Sequence, residues 1–167
     1  MKLVDSFRFL VTTIANTLKC DIIAEIIAKK AQKCMFFLRQ MKKFRVNKTI
    51  LIHTVIESVL IFSITVWFGS ASIHNKKMLE GIVKTASKIT GSKLPSIESI
   101  YTTRTLRKAT TIISDCTHPA NHLFESLPSR KRFRSIKTRT TRFSNTNSFY
   151  PKAVQSQTKS SNIKLKE

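Results

Sequence analysis

The side chains best suited to chemistry are His53 with Glu57, and the group Cys116, His118 and His122. His53 and Glu57 are four residues apart, so a helix would bring them onto one face as an acid–base pair. Both sit inside a strongly apolar run, where a hydrogen-bonded buried pair is the more ordinary outcome. His118 and His122 have a spacing that suits a metal, but Pro119 between them opposes a helix presenting both imidazoles together. That group reads as surface histidines in a loop. The chain has no HxD, HExxH, GxSxG or P-loop, and its three glycines build no phosphate-cradling loop. Its 9 carboxylates are scattered, the nearest two being Asp21 and Glu25, so two-carboxylate and carboxylate–metal mechanisms are poorly supplied. The expectation is a chain with no catalytic residue, no cofactor and no metal, and hence no enzyme.

Charge is the stronger signal. Against those 9 acids stand 30 Lys and Arg, a net charge of +21 and a pI near 10.5. Such a surplus points to polyanions, nucleic acid before anionic lipid. It is concentrated between Ser126 and Lys152, which carry Arg130, Lys131, Arg132, Arg134, Lys137, Arg139, Arg142 and Lys152 with no acid. These eight are the candidate nucleic-acid contacts, neutralising phosphates and releasing counterions. Phe133, Phe143, Phe149 and Tyr150 are interleaved with them and are candidates for stacking on unpaired bases. The expected partner is RNA or DNA bound without sequence preference, because nothing in the run is built to read base edges in a groove.

The elements that would position these residues follow from periodicity. With 167 residues and 41% apolar content, the chain fits one domain plus a tail, with enough apolar material for a core. Residues 4–14 are rich in β-branched and aromatic residues and predict one or two short strands. Asp21 is a candidate cap for a helix to about Phe44, with Ile23, Ile26, Ile27, Cys34, Phe37, Leu38 and Met41 on its apolar face and Lys29, Lys30, Lys33, Arg39 and Lys42 opposite. Residues 50–68 are almost continuously apolar and predict one buried helix, capped from Asn47 and stopped by Gly69. The run is long enough for a bilayer, so a membrane anchor is the alternative, opposed by the insertion penalty of about 2.5–3.5 kcal/mol for a charged Glu57. A third helix starts at Asn75 with Met78, Leu79, Ile82, Val83, Ala86 and Ile89 inward, and ends at Gly91. A fourth opens at Pro95 and Ser96 and runs to about Ile113, with Ile97, Ile100, Tyr101 and Ile112 inward and Arg104, Arg107 and Lys108 outward. Beyond Asp115, Pro119 and Pro128 break regular structure, and residues 155–167 are polar enough to be disordered. Cys20, Cys34 and Cys116 form no disulfide framework, and Asp5 and Arg8 interrupt any signal peptide, so an intracellular location, nuclear or cytoplasmic, is expected.

Several of these segments are similar to the reverse transcriptases of LINE-type (non-LTR) retrotransposons. VDSFRFLVTTI at Val4–Ile14 resembles the segment just after their palm, and KKAQKCMFFLR at Lys29–Arg39 resembles a helix that follows it. IESVLIFSITVWFG at Ile56–Gly69, LPSIESIYTTRTLRKA at Leu94–Ala109, THPANHLFESLPS at Thr117–Ser129, RTTR at Arg139–Arg142 and SFYPKAV at Ser148–Val154 continue in order. The resemblance implies a mainly α fold: a short N-terminal β remnant of the palm end over 1–20, a four-helix thumb-like bundle over 21–114, a basic, largely irregular nucleic-acid-contacting segment over 115–154 and a tail over 155–167. It also implies that the natural packing partner of the bundle is the palm. The family's paired catalytic aspartates have no counterpart here, so the two-metal site of polymerisation is not supplied. Val11 stands where the family has Gly, Cys20 where it has Trp and Arg130 where it has Gly, and two extra residues occur near Asn145–Thr146. These departures read as a decaying copy without catalysis. The helical stretch also resembles the N-terminal region of the eighth AlkB-type homologue, which implies an auxiliary region of a dioxygenase and methyltransferase protein. The HxD pair and the Gly-rich cofactor loop of those activities do not occur in this chain.

Overall fold

Alanine decides how the first long helix packs. In the computed structural model, which describes residues 6–9, 12–15, 21–47, 50, 52–128, 132–134 and 148–163 (backbone alone at 6–9, 12–15, 53–56 and 158–163), helix α1 spans Asp21–Lys43. Ala24, Ala28, Ala31, Met35 and Leu38 form its buried stripe, recurring at alternating four- and three-residue steps. That alternation is the seam of helices packed nearly side by side. The larger apolar residues predicted for this face are displaced from it, and only Leu38 lies in the stripe. Ile26 is 43% exposed and Phe37 64%, while Ile23, Ile27, Cys34 and Met41 are half-buried. The physical reason is size: alanines let a neighbouring backbone approach closely, and bulkier side chains then fall to the flanks or to solvent. Just past the helix, Arg45 takes a left-handed φ of 53°. The Arg45 and Val46 N–H groups donate to the Lys42 and Met41 carbonyls at 3.1 and 3.3 Å, satisfying two of the last orphan acceptors.

Two short strands, β1 (Ser6–Phe9) and β2 (Thr12–Ala15), pair antiparallel, with Ser6 opposite Ala15 and Phe9 opposite Thr12. The second of them packs against α1.

The apolar stretch 50–68 is not the single helix its composition predicts. His53–Leu60 form a widened, π-type helix, α2. The chain then breaks at Ile61–Ser63, with Ser63 at φ 49°, and resumes as the one-turn helix α3, Ile64–Trp67. A helix apolar all round needs cover all round, whereas α2 packs on α1 and α4. The break re-aims the following side chains. Leu60, Ile61, Ile64, Trp67 and Phe68 are all buried, and only Phe62 and Val66 remain outward. The Trp67 indole N–H donates to the Phe62 carbonyl at 3.0 Å, occupying an acceptor at the break. Among the described residues no helix is long and apolar enough to cross a membrane, and the alternative of an anchor at 50–68 meets a break at Ile61–Ser63.

Helix α4, Ile73–Thr90, starts two residues ahead of the predicted Asn75, because Ser72 caps it by accepting from the Asn75 N–H at 3.3 Å. Asp21 reaches across from α1, its Oδ1 accepting from the Ser72 N–H and the Asn75 Nδ2, each at 2.9 Å. Leu79, Ile82, Val83 and Ala86 are buried along α4, as their periodicity predicts. Gly91 closes the helix at φ 67°, a conformation that suits a residue without Cβ. Helix α5, Ile97–Ser114, is capped by Ser96 Oγ, which accepts from the Ser99 N–H at 3.2 Å. Glu80 of α4 accepts from the Ile97 N–H at 3.1 Å.

The chain divides into two compact units, Met1–Ile100 and Tyr101–Glu167, with the boundary inside α5. The second unit holds the rest of α5, a 3₁₀ turn at Asn121–Leu123, an isolated antiparallel bridge between Ser126 and Phe133, and helix α6, Phe149–Ile163. Its core is Ala109, Ile112, Phe124, Ala153 and Val154. The irregular segment expected up to 154 and the disordered tail expected from 155 are therefore both corrected over Phe149–Ile163, which are helical. Pro151 sits in the first turn of α6, where its missing N–H has no intrahelical role. Buried Ala153, Val154 and Ser156, with the Gln157 Nε2–Thr110 Oγ1 hydrogen bond at 3.1 Å, tie the helix to α5.

Candidate nucleic-acid interface

Two backbone hydrogen bonds build the platform for the basic run. The Leu127 N–H donates to the Arg132 carbonyl at 2.8 Å, and the Arg134 N–H donates to the Glu125 carbonyl at 2.7 Å. Side chains alternate along such a bridge. Phe133 turns inward against Phe124, ring centroids 6.1 Å apart, and Arg132 and Arg134 on either side are exposed. The Arg134 Nη1 lies 3.3 Å from Glu125 Oε2, but both side chains are more than half exposed, so this pair contributes about 0–1 kcal/mol. Lys152 is half-buried on α6. Of the other sequence candidates, Arg130, Lys131, Lys137, Arg139 and Arg142 lie outside the described residues.

The aromatic half of that expectation changes. Phe133, Phe149 and Tyr150 pack against the core of the second unit rather than standing free for bases. Tyr150 is 5.7 Å from Phe124 and 5.1 Å from Phe149, centroid to centroid. Such pairs add about 0.5–1.5 kcal/mol beyond area burial, so Phe133, Phe149 and Tyr150 serve folding. Phe143 lies outside the described residues. Asn121 supports the same unit, its Nδ2 reaching the carbonyls of Ile112, Ile113 and Asp115 at 3.0–3.2 Å, acceptors at the end of α5. Asp115 Oδ1 accepts from the Thr117 hydroxyl at 2.6 Å and its N–H at 3.0 Å, which holds the carboxyl below its usual range. Burial pushes the Tyr101 phenol up, partly opposed by the Thr105 hydroxyl.

Exposed aromatics occur instead in the first unit. Phe36 is 60% exposed, Phe37 64% and Phe44 79%. They stand among Lys29, Lys30, Lys33, Arg39, Lys42 and Lys43, all exposed. Periodicity alone sets Phe37 inward, and only the position of the alanine stripe reveals this face. On the flank of α1, a groove of about 330 Å³ is lined by Ile23, Ile27, Cys34, Val59, Phe62 and Trp67, with Lys30 beside them. Arg104, Arg107 and Lys108 are exposed on α5, as predicted.

Among the described residues no three His, Cys, Asp or Glu side chains gather to hold a metal. His118 Nδ1 accepts from the Ala120 N–H at 3.1 Å, while His122 and Cys116 are exposed. Glu57 is half-buried, and the His53 side chain lies outside the described residues.

Residues 22–58, that is 37 of the 167 and most of α1 and α2, match the family model described as alkylated DNA repair protein alkB homolog 8, N-terminal. No curated protein matches the chain. No solved structure matches it. The family match supports similarity to that N-terminal region over α1 and α2.

Proposed function

We propose that this chain is a non-catalytic module that holds RNA or DNA by phosphate charge without reading its sequence. The observation that carries the reading is the bridge at Ser126–Phe133. There Phe133 is used for packing and its neighbours Arg132 and Arg134 are left in solvent, within a run of eight cations and no acid. The match over 22–58 favours an auxiliary region of an alkB-type protein as its setting. A second reading is the post-palm part of a LINE-type reverse transcriptase, favoured by the ordered segments from Val4 to Val154. In both settings the bond-making chemistry belongs to residues other than these, because paired metal-binding aspartates and an HxD pair do not occur in this sequence.

The test is equilibrium binding of labelled single-stranded and duplex oligonucleotides across a salt series. If about six of the tail cations meet phosphate, the slope of log K against log salt is roughly −4 to −5. Replacing Arg132 and Arg134 by Ala lowers affinity for all sequences alike and flattens the slope by about 1 to 2. A salt-insensitive affinity refutes the reading. Primer extension with Mg²⁺ or Mn²⁺ stays at the buffer control, and template-dependent extension would overturn the non-catalytic part.

A further inference from the structure

We propose that the solvent face of α1 is a stacking site for single-stranded nucleic acid, with Phe36, Phe37 and Phe44 as the platform and Lys29, Lys33 and Lys43 as phosphate contacts. The proposal rests on the nucleic-acid reading above and adds to it a place and a mode of binding that the basic tail does not supply.

The face is defined by what lies opposite. Ala24, Ala28, Ala31, Met35 and Leu38 commit one side of α1 to the core. At 100° per residue, Lys29, Lys33, Phe36, Phe37, Gln40 and Lys43 fall on the other side. Phe44 continues the row just past the helix, its N–H still donating to the Gln40 carbonyl at 3.3 Å. Phe36 and Phe37 meet edge to face, centroids 6.1 Å apart at 81°, so the two rings offer surfaces in different directions. All three rings are at least 60% exposed.

Charge selects the occupant. Between Lys29 and Arg45 the chain carries seven cations (Lys29, Lys30, Lys33, Arg39, Lys42, Lys43, Arg45) and no acid. The only acids of α1 are Asp21 and Glu25 in its first two turns, and Asp21 is engaged with Ser72 and Asn75. A helix made to lie on a lipid surface separates its large apolar residues from its cations. Here the rings share one face with Lys29, Lys33 and Lys43 instead of standing apart from them. Interleaved cations and exposed rings match a strand that presents phosphates and unpaired bases in turn. A duplex keeps its bases stacked inside and gains only the charge.

The test compares four partners of the full chain by fluorescence anisotropy or co-sedimentation: a labelled single strand of about a dozen nucleotides, the same strand built of abasic sites, a duplex, and phosphatidylserine vesicles. The wild-type chain is expected to prefer the base-bearing strand to the abasic one. The F36A/F37A variant loses roughly fivefold or more per ring on the base-bearing strand. It keeps its affinity for the abasic strand and an unchanged salt slope, since no charge is removed. The K29A/K33A variant weakens both strands and flattens the slope. Circular dichroism checks that each variant folds. Equal affinity for base-bearing and abasic strands, or binding indifferent to F36A/F37A, overturns this proposal and leaves the tail reading standing. Ring-dependent binding to vesicles without ring-dependent binding to the strand also overturns it, in favour of a lipid surface. A wild-type chain that binds no strand overturns both readings.

Discussion

Among the described residues, two other than glycine hold left-handed backbone, Arg45 just past α1 and Ser63 at the break before α3. A Cβ in that region costs about 1–2 kcal/mol, and a glycine removes the cost while loosening the unfolded chain. Arg45→Gly and Ser63→Gly are each expected to raise stability by about 0.5–1 kcal/mol net, read from the urea midpoint at constant m. Tyr101 gives a prediction in pH. Its folded pKa is raised by burial, so above the unfolded value of about 10 the unfolded chain releases the phenolic proton while the folded chain keeps it. Stability is therefore full below that pH and falls as pH rises toward the folded pKa. Thermal melts in the alkaline range should show this decline, and Tyr101→Phe should reduce it. Lysine titration in the same window is common to both proteins and cancels in the comparison.

Among the elements, α4 is the most legible, because Leu79, Ile82, Val83 and Ala86 recur at helical spacing and are all buried, with Met78 and Ile89 half-buried beside them. In α1 two stripes compete. Hydrophobicity alone favours Ile23, Ile26, Ile27 and Phe37, yet close approach to α4 and α2 favours Ala24, Ala28 and Ala31, a term that depends on the neighbour and not on the helix. The same holds for α6, whose two fully committed apolar residues, Ala153 and Val154, give no periodic signal until Ala109, Ile112 and Phe124 stand opposite. The tail cations were legible from charge alone. The exposed rings of α1 were not, since their exposure follows from the alanine seam. Stability measurements separate the two stripes directly. Ala28→Leu forces a larger side chain into the seam and should cost about 1–3 kcal/mol. Phe37→Ala, a larger change in volume, should stay within about 0.5 kcal/mol because the ring is mostly in water.

At the scale of the molecule, a net charge of +21 on 167 residues acts against compactness through self-repulsion. Added salt screens that repulsion, with a Debye length that shortens from about 30 Å at 0.01 M to about 8 Å at 0.15 M. The melting temperature is expected to rise over that range, and to rise further with a bound polyanion, whose binding to the folded chain adds to stability by mass action. A melting temperature that is flat or falling across the salt series would show that local pairing outweighs the net charge.

The chain's aromatic chromophores are sorted between its two units. The single tryptophan, Trp67, is buried in the first beside the break at Ile61–Ser63, with its indole on the Phe62 carbonyl. Both tyrosines, Tyr101 and Tyr150, belong to the second. Indole emission thus follows the loss of one core, and tyrosine absorbance follows the loss of the other, in the same sample and without a label. Unfolding curves read at the two chromophores measure whether each unit melts on its own or only with its neighbour, and oligonucleotide added during the melt shows which of the two it protects.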